Sequence, residues 1–389
     1  MLSKRIKLLS ESMTMAITTL ARELKAEGKD VLSFSAGEPD FDTPQKIKDA
    51  AIKAINDGFT KYTAVAGAPD VLEAIKTKLK NDNGLDYDTS DIIVNVGAKQ
   101  SLFNLFQATI DEGDEVIIPS PYWVTYPEIV KYAGGKVVEI ETTDKTEFKI
   151  TPEQLKNAIS PKTKFLILNS PSNPTGSVYT KDELSALAEV LKDTKVMVAS
   201  DEMYEKLIYD GFEFVSTASI SEDMYQRTIT INGLSKSVAM TGWRFGYMAT
   251  PNKEIMGYIK RLQSQSTSNV TSITQKAAIP ALVGDVDDEI ESMRVEFEKR
   301  RDMAIELFNK IEGLSVIKPK GAFYLFVNIK DVTNDSMEFC KKLLAEKGVA
   351  TVPGIGFGSE GYFRFSFATD TKSIQDGISR IEDFVKSYK

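Results

Sequence analysis

Lys236 stands just past an alternating apolar run in ITINGLSKSVAMTGWRFGY (Ile229–Tyr247), with Ser235 and Ser237 beside it and Arg244 eight positions on. A lysine after a strand is ordinarily a solvated loop residue, so its chemistry depends on what converges with it. The chain contains no histidine. That removes His-based triads, histidine general bases and His-ligated zinc, and leaves Lys, Tyr, Asp or Glu to carry any proton transfer. The other residues able to do chemistry also follow apolar runs. Gly97-Ala98-Lys99 comes after DIIVNV, Pro121-Tyr122-Trp123 after EVIIPS, Asn173 of NPTG after FLILNSPS, and Asp201 and Tyr204 after VMVAS.

Each has a plainer reading. NPTG is turn chemistry, Asp201 and Glu202 could cap a helix, and Tyr122 and Trp123 could be core aromatics. GAK lacks the full pattern of a dinucleotide-binding or P-loop fingerprint. Together, however, they mark five strand exits, and in an open parallel sheet ligands bind outside the carboxyl ends of the strands.

The elements that must position them follow from periodicity. Short runs rich in β-branched residues (DIIVNV, DEVIIP, GKVVEI, KFLILN, KVMVAS, TITIN) alternate with helical patterns such as AKQSLFNLFQATI and TKDELSALAEVLKD. That alternation predicts a mostly parallel α/β sheet covered on both faces. Thr180, three residues before Glu183, forms a capping box for the second helix. After about Ala281 the texture changes. A charged segment, DVDDEIESMRVEFEKRRDMAIELFNKIEG, predicts one amphipathic helix ending at Gly313. The short strands AFYLFVNI, VATVPG and YFRFSFA then predict a smaller α+β part. The first forty residues read as a helix, then a strand, VLSFSAGEPDFDTP, running into a Gly/Pro-rich loop.

Composition sets the outer bounds. The 389 residues are 42% hydrophobic and 27% charged, ordinary for a globular chain, and the length predicts two domains. A formal net charge of -8 argues against a nucleic-acid groove or an anionic membrane surface. MLSKRIKLLS is basic without an apolar core, so no signal peptide is expected, and no apolar run approaches the roughly 20 residues of a membrane span. The single cysteine, Cys340, excludes an intrachain disulfide and a thiolate metal cluster. A cytoplasmic protein without a metal is expected.

Taken in order, SAGEPDFDTP, KYTAVAGAPDVLEAI, VGAKQSLFN, PYWVTYPE, NSPSNPTG, SDEMYE, SKSVAMTGWRFGY, KPKGAFYLF and YFRFSFA resemble the class I (fold type I) aminotransferases across essentially the whole chain. Within that family the sequence is most similar to the bacterial-type aspartate aminotransferase branch. The resemblance implies a large cofactor-binding domain over 45–285, and a small domain built from 1–44 and 286–389. It also implies pyridoxal 5'-phosphate (PLP) as cofactor, amino-acid and 2-oxo-acid substrates, and a homodimer with shared active sites.

Residue by residue, Lys236 matches the lysine that forms the Schiff base with the cofactor aldehyde and afterwards moves protons. Asp201 matches the carboxylate that keeps the pyridine nitrogen protonated. Tyr204 and Asn173 match the partners of the ring hydroxyl oxygen, and Trp123 matches the aromatic stacked on the ring. The phosphate falls to Gly97, Ala98 and Lys99 at a helix start, to Ser235 and Arg244, and to Tyr62 reaching from the neighbouring subunit. The chain departs from some relatives at Gly233, where they carry another serine. Arg364 matches the bidentate arginine for the substrate α-carboxylate, assisted by Asn173 and the Gly37 backbone. No second arginine for a distal carboxylate is evident. Lys99, with Ser12 and Thr14, matches the residues that take that role in the bacterial branch.

The activity implied is exchange of an amino group between L-aspartate and 2-oxoglutarate. The alternatives are an aminotransferase for aromatic amino acids, kynurenine or prephenate, a PLP lyase on the same fold, or a PLP-dependent transcription regulator. The last is disfavoured because the family pattern begins within the first forty residues, leaving no room for a DNA-binding domain ahead of it.

Overall fold

A computed structural model describes residues 1–11 and 13–388, the Thr14 side chain excepted. Among these residues the chain forms the strands β1 (Leu32–Ser33), β2 (Ile92–Val96), β3 (Glu115–Ser120), β4 (Lys136–Glu141), β5 (Thr163–Asn169), β6 (Met197–Asp201), β7 (Thr228–Gly233), β8 (Phe245–Ala249), β9 (Ser315–Val316), β10 (Tyr324–Asn328), β11 (Val349–Ala350), β12 (Val352–Pro353) and β13 (Tyr362–Ser366). Seven of these make one sheet in the order β2-β8-β7-β6-β5-β3-β4.

The pairs from β7 through β6, β5 and β3 to β4 are parallel. β8 runs antiparallel to both β7 and β2. It follows that β2 runs in the same sense as β3–β7, so the exits of β2, β3, β5, β6 and β7 lie along one sheet edge. Phe245–Ala249, an apolar stretch in the sequence, is thus the one strand that makes the sheet mixed.

The apolar runs are continuous because both faces are covered. Side chains alternate across a strand, so Ile117, Leu166 and Val198 pack with Leu184 and Leu187 of the helix Lys181–Leu191. Their neighbours Val116, Phe165 and Ala199 pack on the other face with Leu102 and Leu105 of the helix Ala98–Thr109. The Thr180 capping box forms as expected, with its Oγ1 accepting from the Glu183 N–H.

The remaining strands form a smaller antiparallel sheet, β12-β13-β10-β9, and a parallel pair, β1-β11. The charged segment is helical only over Asp287–Phe308, and Gly313 lies beyond it in a turn at φ +85°. VATVPG divides in two. Val349–Ala350 pairs with β1 and Val352–Pro353 with β13, leaving Thr351 between them. Phe34 of the N-terminal segment stacks on Phe365 with centroids 4.1 Å apart. One apolar core runs from Phe165 of the large sheet and Phe106 of the helix Ala98–Thr109 to Phe363 of the small sheet and Phe323 just before β10. No helix among the described residues is long and apolar enough to cross a membrane.

Candidate active site

The strand exits do converge. A cavity of about 320 Å³ is lined by Gly37, Ala98, Lys99, Trp123, Asn173, Asp201, Tyr204, Ser235, Lys236, Arg244 and Arg364. Gly97 sits directly behind, as N-cap of the helix Ala98–Thr109 at φ +75°. A Cβ on Gly97 would come within 2.5 Å of Arg244 Nη2 and would have to displace that guanidinium, and the positive φ itself favours glycine. Tyr62 is 89% exposed and does not line the cavity. Ser12 and the Thr14 side chain fall outside the described residues.

Lys236 follows β7, whose residues are all buried. Its Nζ donates to the Gly37 carbonyl at 2.5 Å. Burial lowers its ammonium to about 8; Arg244 and Arg364 push the same way, against Glu38 and Asp201. A lysine in this setting is partly neutral at physiological pH and can work as a base.

Asp201 ends β6 and is 4% exposed. Burial raises its carboxyl to about 6, although a Tyr126 O–H at 2.7 Å, the Met203 N–H at 3.3 Å and the nearby Lys236 all favour the anion. Tyr126 lies three residues after Trp123, at the start of the helix Thr125–Ala133, and the two rings meet edge-on at 5.5 Å. Neither hydroxyl of the Tyr204–Tyr324 pair ionises readily: burial raises both, and the two oxygens lie 2.8 Å apart.

Arg364 lies on β13, an interior strand of the small sheet, and is 2% exposed. This excludes a solvent-facing arginine. Its Nη1 donates to Asn173 Oδ1 at 2.9 Å and its Nη2 to the Ser35 carbonyl at 2.6 Å. Its Nε has no partner among the described residues. Asn173 is fixed in turn by its N–H donating to Asn169 Oδ1, while Asn169 Nδ2 donates to the Asp201 carbonyl.

Also in the cavity lining, Lys99 Nζ lies 4.9 Å over the Trp123 ring, with loss of water and the Arg244 charge lowering its ammonium. Arg244 holds a left-handed backbone at φ +56°, uncommon for a residue with a side chain and frequent at functional sites. Gly233 pairs directly with Gly246 of β8, and a Cβ there would come 2.7 Å from the Phe245 carbonyl. This backbone has no room for a serine at that position.

Sequence reasoning misses Tyr126, Asn169, Met203 and Tyr324, all of which line the cavity. Tyr126 carried a signal, one helical turn beyond Trp123. Tyr324 carried none, because its place depends on how the two sheets meet.

The donor set suits a phosphorylated pyridine aldehyde. It offers an amine, an acid opposite it, hydroxyl and amide groups between them, and N–H groups with a cation at a helix start. The match in sequence is equally direct. Residues 29–381 fit the model of the family "Aminotransferase class I and II". The chain is 50% identical to an aspartate aminotransferase of Bacillus sp. (strain YM-2), covering 99% of each chain. It is 47% identical to a probable aspartate/prephenate aminotransferase of Rickettsia bellii (strain RML369-C), covering 98% of each. The aspartate aminotransferase of Rhizobium meliloti superposes with a TM-score of 0.96 at 41% identity, over 100% of both chains. The chain belongs to the class I and II aminotransferases and has their α/β fold. The relatives' names point further, to the amino donor.

Proposed function

We propose that the chain is a PLP-dependent aspartate aminotransferase exchanging amino groups between aspartate and 2-oxoglutarate in two alternating half-reactions. The observation that carries this reading is the convergence of Lys236, Asp201 and Tyr204 with a fully buried arginine, Arg364, around one cavity. Bound PLP supplies the aldehyde that takes up the amino group and a ring that draws electrons from the substrate Cα.

The chain's own residues do the rest. Asp201 holds a proton at the ring nitrogen. Tyr204 and Asn173 orient the ring oxygen, and Trp123 covers one face against water. Gly97, Ala98, Ser235 and Arg244 bind the phosphate. Arg364 would orient the α-carboxylate, and the neutral Lys236 amine is placed to take up the Cα proton and release it again. Lys99 offers a cation to the distal carboxylate. The exposed Tyr62 fits a contact with a neighbouring copy's phosphate site, in a cytoplasmic homodimer. In the division this reading uses, residues 45–285 form the cofactor-binding domain, and 1–44 with 286–389 form a small domain that carries Gly37 and Arg364. The relatives named for both aspartate and prephenate support a second acceptor, since prephenate also carries a carboxylate distal to its 2-oxo acid group.

The test is turnover with a panel of amino donors and 2-oxo acids, following the visible absorption of bound cofactor through a single half-reaction. Aspartate should outrun aromatic donors. Lys236→Ala should lose turnover while keeping the fold, and near-wild-type turnover in that variant would refute the assignment of the lysine.

A further inference from the structure

Tyr324 is, with Arg364, a side chain that the small sheet contributes to the cavity lining. It starts β10, is fully buried, and pairs across the sheet with Ser366, two residues beyond Arg364. Its ring lies under the Arg364 guanidinium at 4.4 Å. Its hydroxyl lies 2.8 Å from the Tyr204 hydroxyl. The same hydroxyl stands 2.8 Å from where a Cβ on Gly37 would be. It therefore touches the residue whose carbonyl accepts from Lys236. One phenol thus contacts the carboxylate-binding arginine, the Lys236 loop partner and the tyrosine assigned to the cofactor.

Two neutral phenols sharing a hydrogen bond must choose a donor. A cation over the face of one ring draws electron density from it and makes its O–H the stronger donor. The Arg364 charge favours proton loss from both phenols, but it is the Tyr324 ring that the guanidinium covers, at 4.4 Å. The Tyr204 ring has no cation over its face among the described residues. We infer that Tyr324 donates to Tyr204 and is a positioning residue: it fixes the Tyr204 oxygen as acceptor and so aims the Tyr204 O–H into the cavity. Tyr324 would thereby link the state of Arg364 to the strength of the hydrogen bond Tyr204 gives the ring oxygen. This inference rests on the PLP reading of the site.

The test is Tyr324→Phe in the full-length protein loaded with PLP, with Tyr204→Phe and the double variant as controls. Phenylalanine keeps the ring under Arg364 and removes only the hydroxyl. The readout is the pH midpoint of the visible absorption of bound cofactor, which a purely structural role would not move. Freed from its donor, the Tyr204 O–H spends part of its time turned away, and the ring oxygen, less stabilised as an anion, then holds a proton more tightly. The midpoint should rise by about 0.5 pH unit, the scale of one neutral hydrogen bond, with KM for aspartate changed less than twofold. In the Tyr204→Phe background, removing the Tyr324 hydroxyl should add nothing. An unchanged midpoint in Tyr324→Phe overturns the inference, as does an equal rise in both backgrounds. Wild-type protein that binds no PLP would instead refute the functional reading itself, and binding by fluorescence titration separates the two failures.

Discussion

Among the described residues two arginines, Arg301 and Arg364, are fully buried, and they are treated in opposite ways. Arg301, on the helix Asp287–Phe308, is surrounded by acceptors. It donates to both Asp210 oxygens at 2.8 and 3.1 Å, to Asp302 at 2.9 Å and to the Pro319 carbonyl at 3.0 Å, with the Tyr209 ring against its guanidinium. Against the pull of burial, hydrogen bonds from Arg301, Lys318 and Lys320 hold the Asp210 carboxyl far below the usual range. Arg364 makes no ion pair with any described residue. It has one amide, one carbonyl and an unpartnered Nε. Burying a cation is costly unless an anion repays it. At Arg301 the protein supplies that anion, and at Arg364 the place is left for a ligand. The contrast separates a structural cation from a recognition site at equal burial.

The sharpest way to break the contrast is to remove each cation in turn. Arg364→Leu should lower kcat/KM for aspartate by about a thousandfold, the loss of two charge-assisted hydrogen bonds to the substrate carboxylate. Denaturant unfolding of the same variant should stay within about 1 kcal/mol of wild type, because an uncompensated charge leaves with the side chain. Arg301→Leu should do the reverse. Stability should fall by about 3 kcal/mol as Asp210 loses its bidentate partner, while kcat/KM per folded molecule stays within about twofold. Equal stability losses in the two variants would make Arg364 a structural cation as well.

This distinction was only partly legible in the sequence. The strands around the site could be read because buried parallel strands are unbroken apolar runs, and their exits followed from that. Arg364 could be placed by the alternation of YFRFSFA, but nothing local told it from Arg301, which sits in a charged helical run. Charge compensation is a tertiary property. Asp210 lies ninety-one positions from Arg301 and Asn173 lies 191 from Arg364. The same reason hid Tyr324. β8 was obscured differently: a strand preceded by Gly242-Trp243-Arg244 and holding a glycine, Gly246, at its second position, where two backbones approach closely, lacks the usual β-branched signature.

A second cation in the cavity lining offers a smaller version of the same test. Lys99 has no carboxylate partner among the described residues and lies over Trp123, so it too is a cation without a built-in anion. If it serves the distal carboxylate, Lys99→Ser should cost aspartate and glutamate about 1.5–3 kcal/mol, roughly ten- to a hundredfold in kcat/KM. Phenylalanine and tyrosine should lose far less. Equal losses across acidic and aromatic donors would assign Lys99 to the cofactor alone and favour an aromatic preference.

The smallest effect concerns an anion rather than a cation. Asp201 is the buried carboxylate of the site, and unlike Asp210 it has no arginine. Burial raises it to about 6, while Tyr126, the Met203 N–H and Lys236 support its charged form. A carboxyl whose folded value exceeds its unfolded one takes up protons on folding in the interval between them. Stability from this group is therefore full below the ordinary carboxylate range and is lost as pH rises towards about 6. Tyr126→Phe removes a donor that favours the anion, so the folded value should climb further and the loss should extend to higher pH. A hydrogen bond to the charged carboxylate is worth more than one to the neutral acid, by about 1 kcal/mol. In cofactor-free protein, Tyr126→Phe should thus cost about 1 kcal/mol more stability at pH 8 than at pH 5. Denaturant unfolding at the two pH values measures this directly. The same loss at both would mean that Tyr126 packs beside Asp201 without tuning it, and that Asp201 relies on Lys236 and the backbone alone.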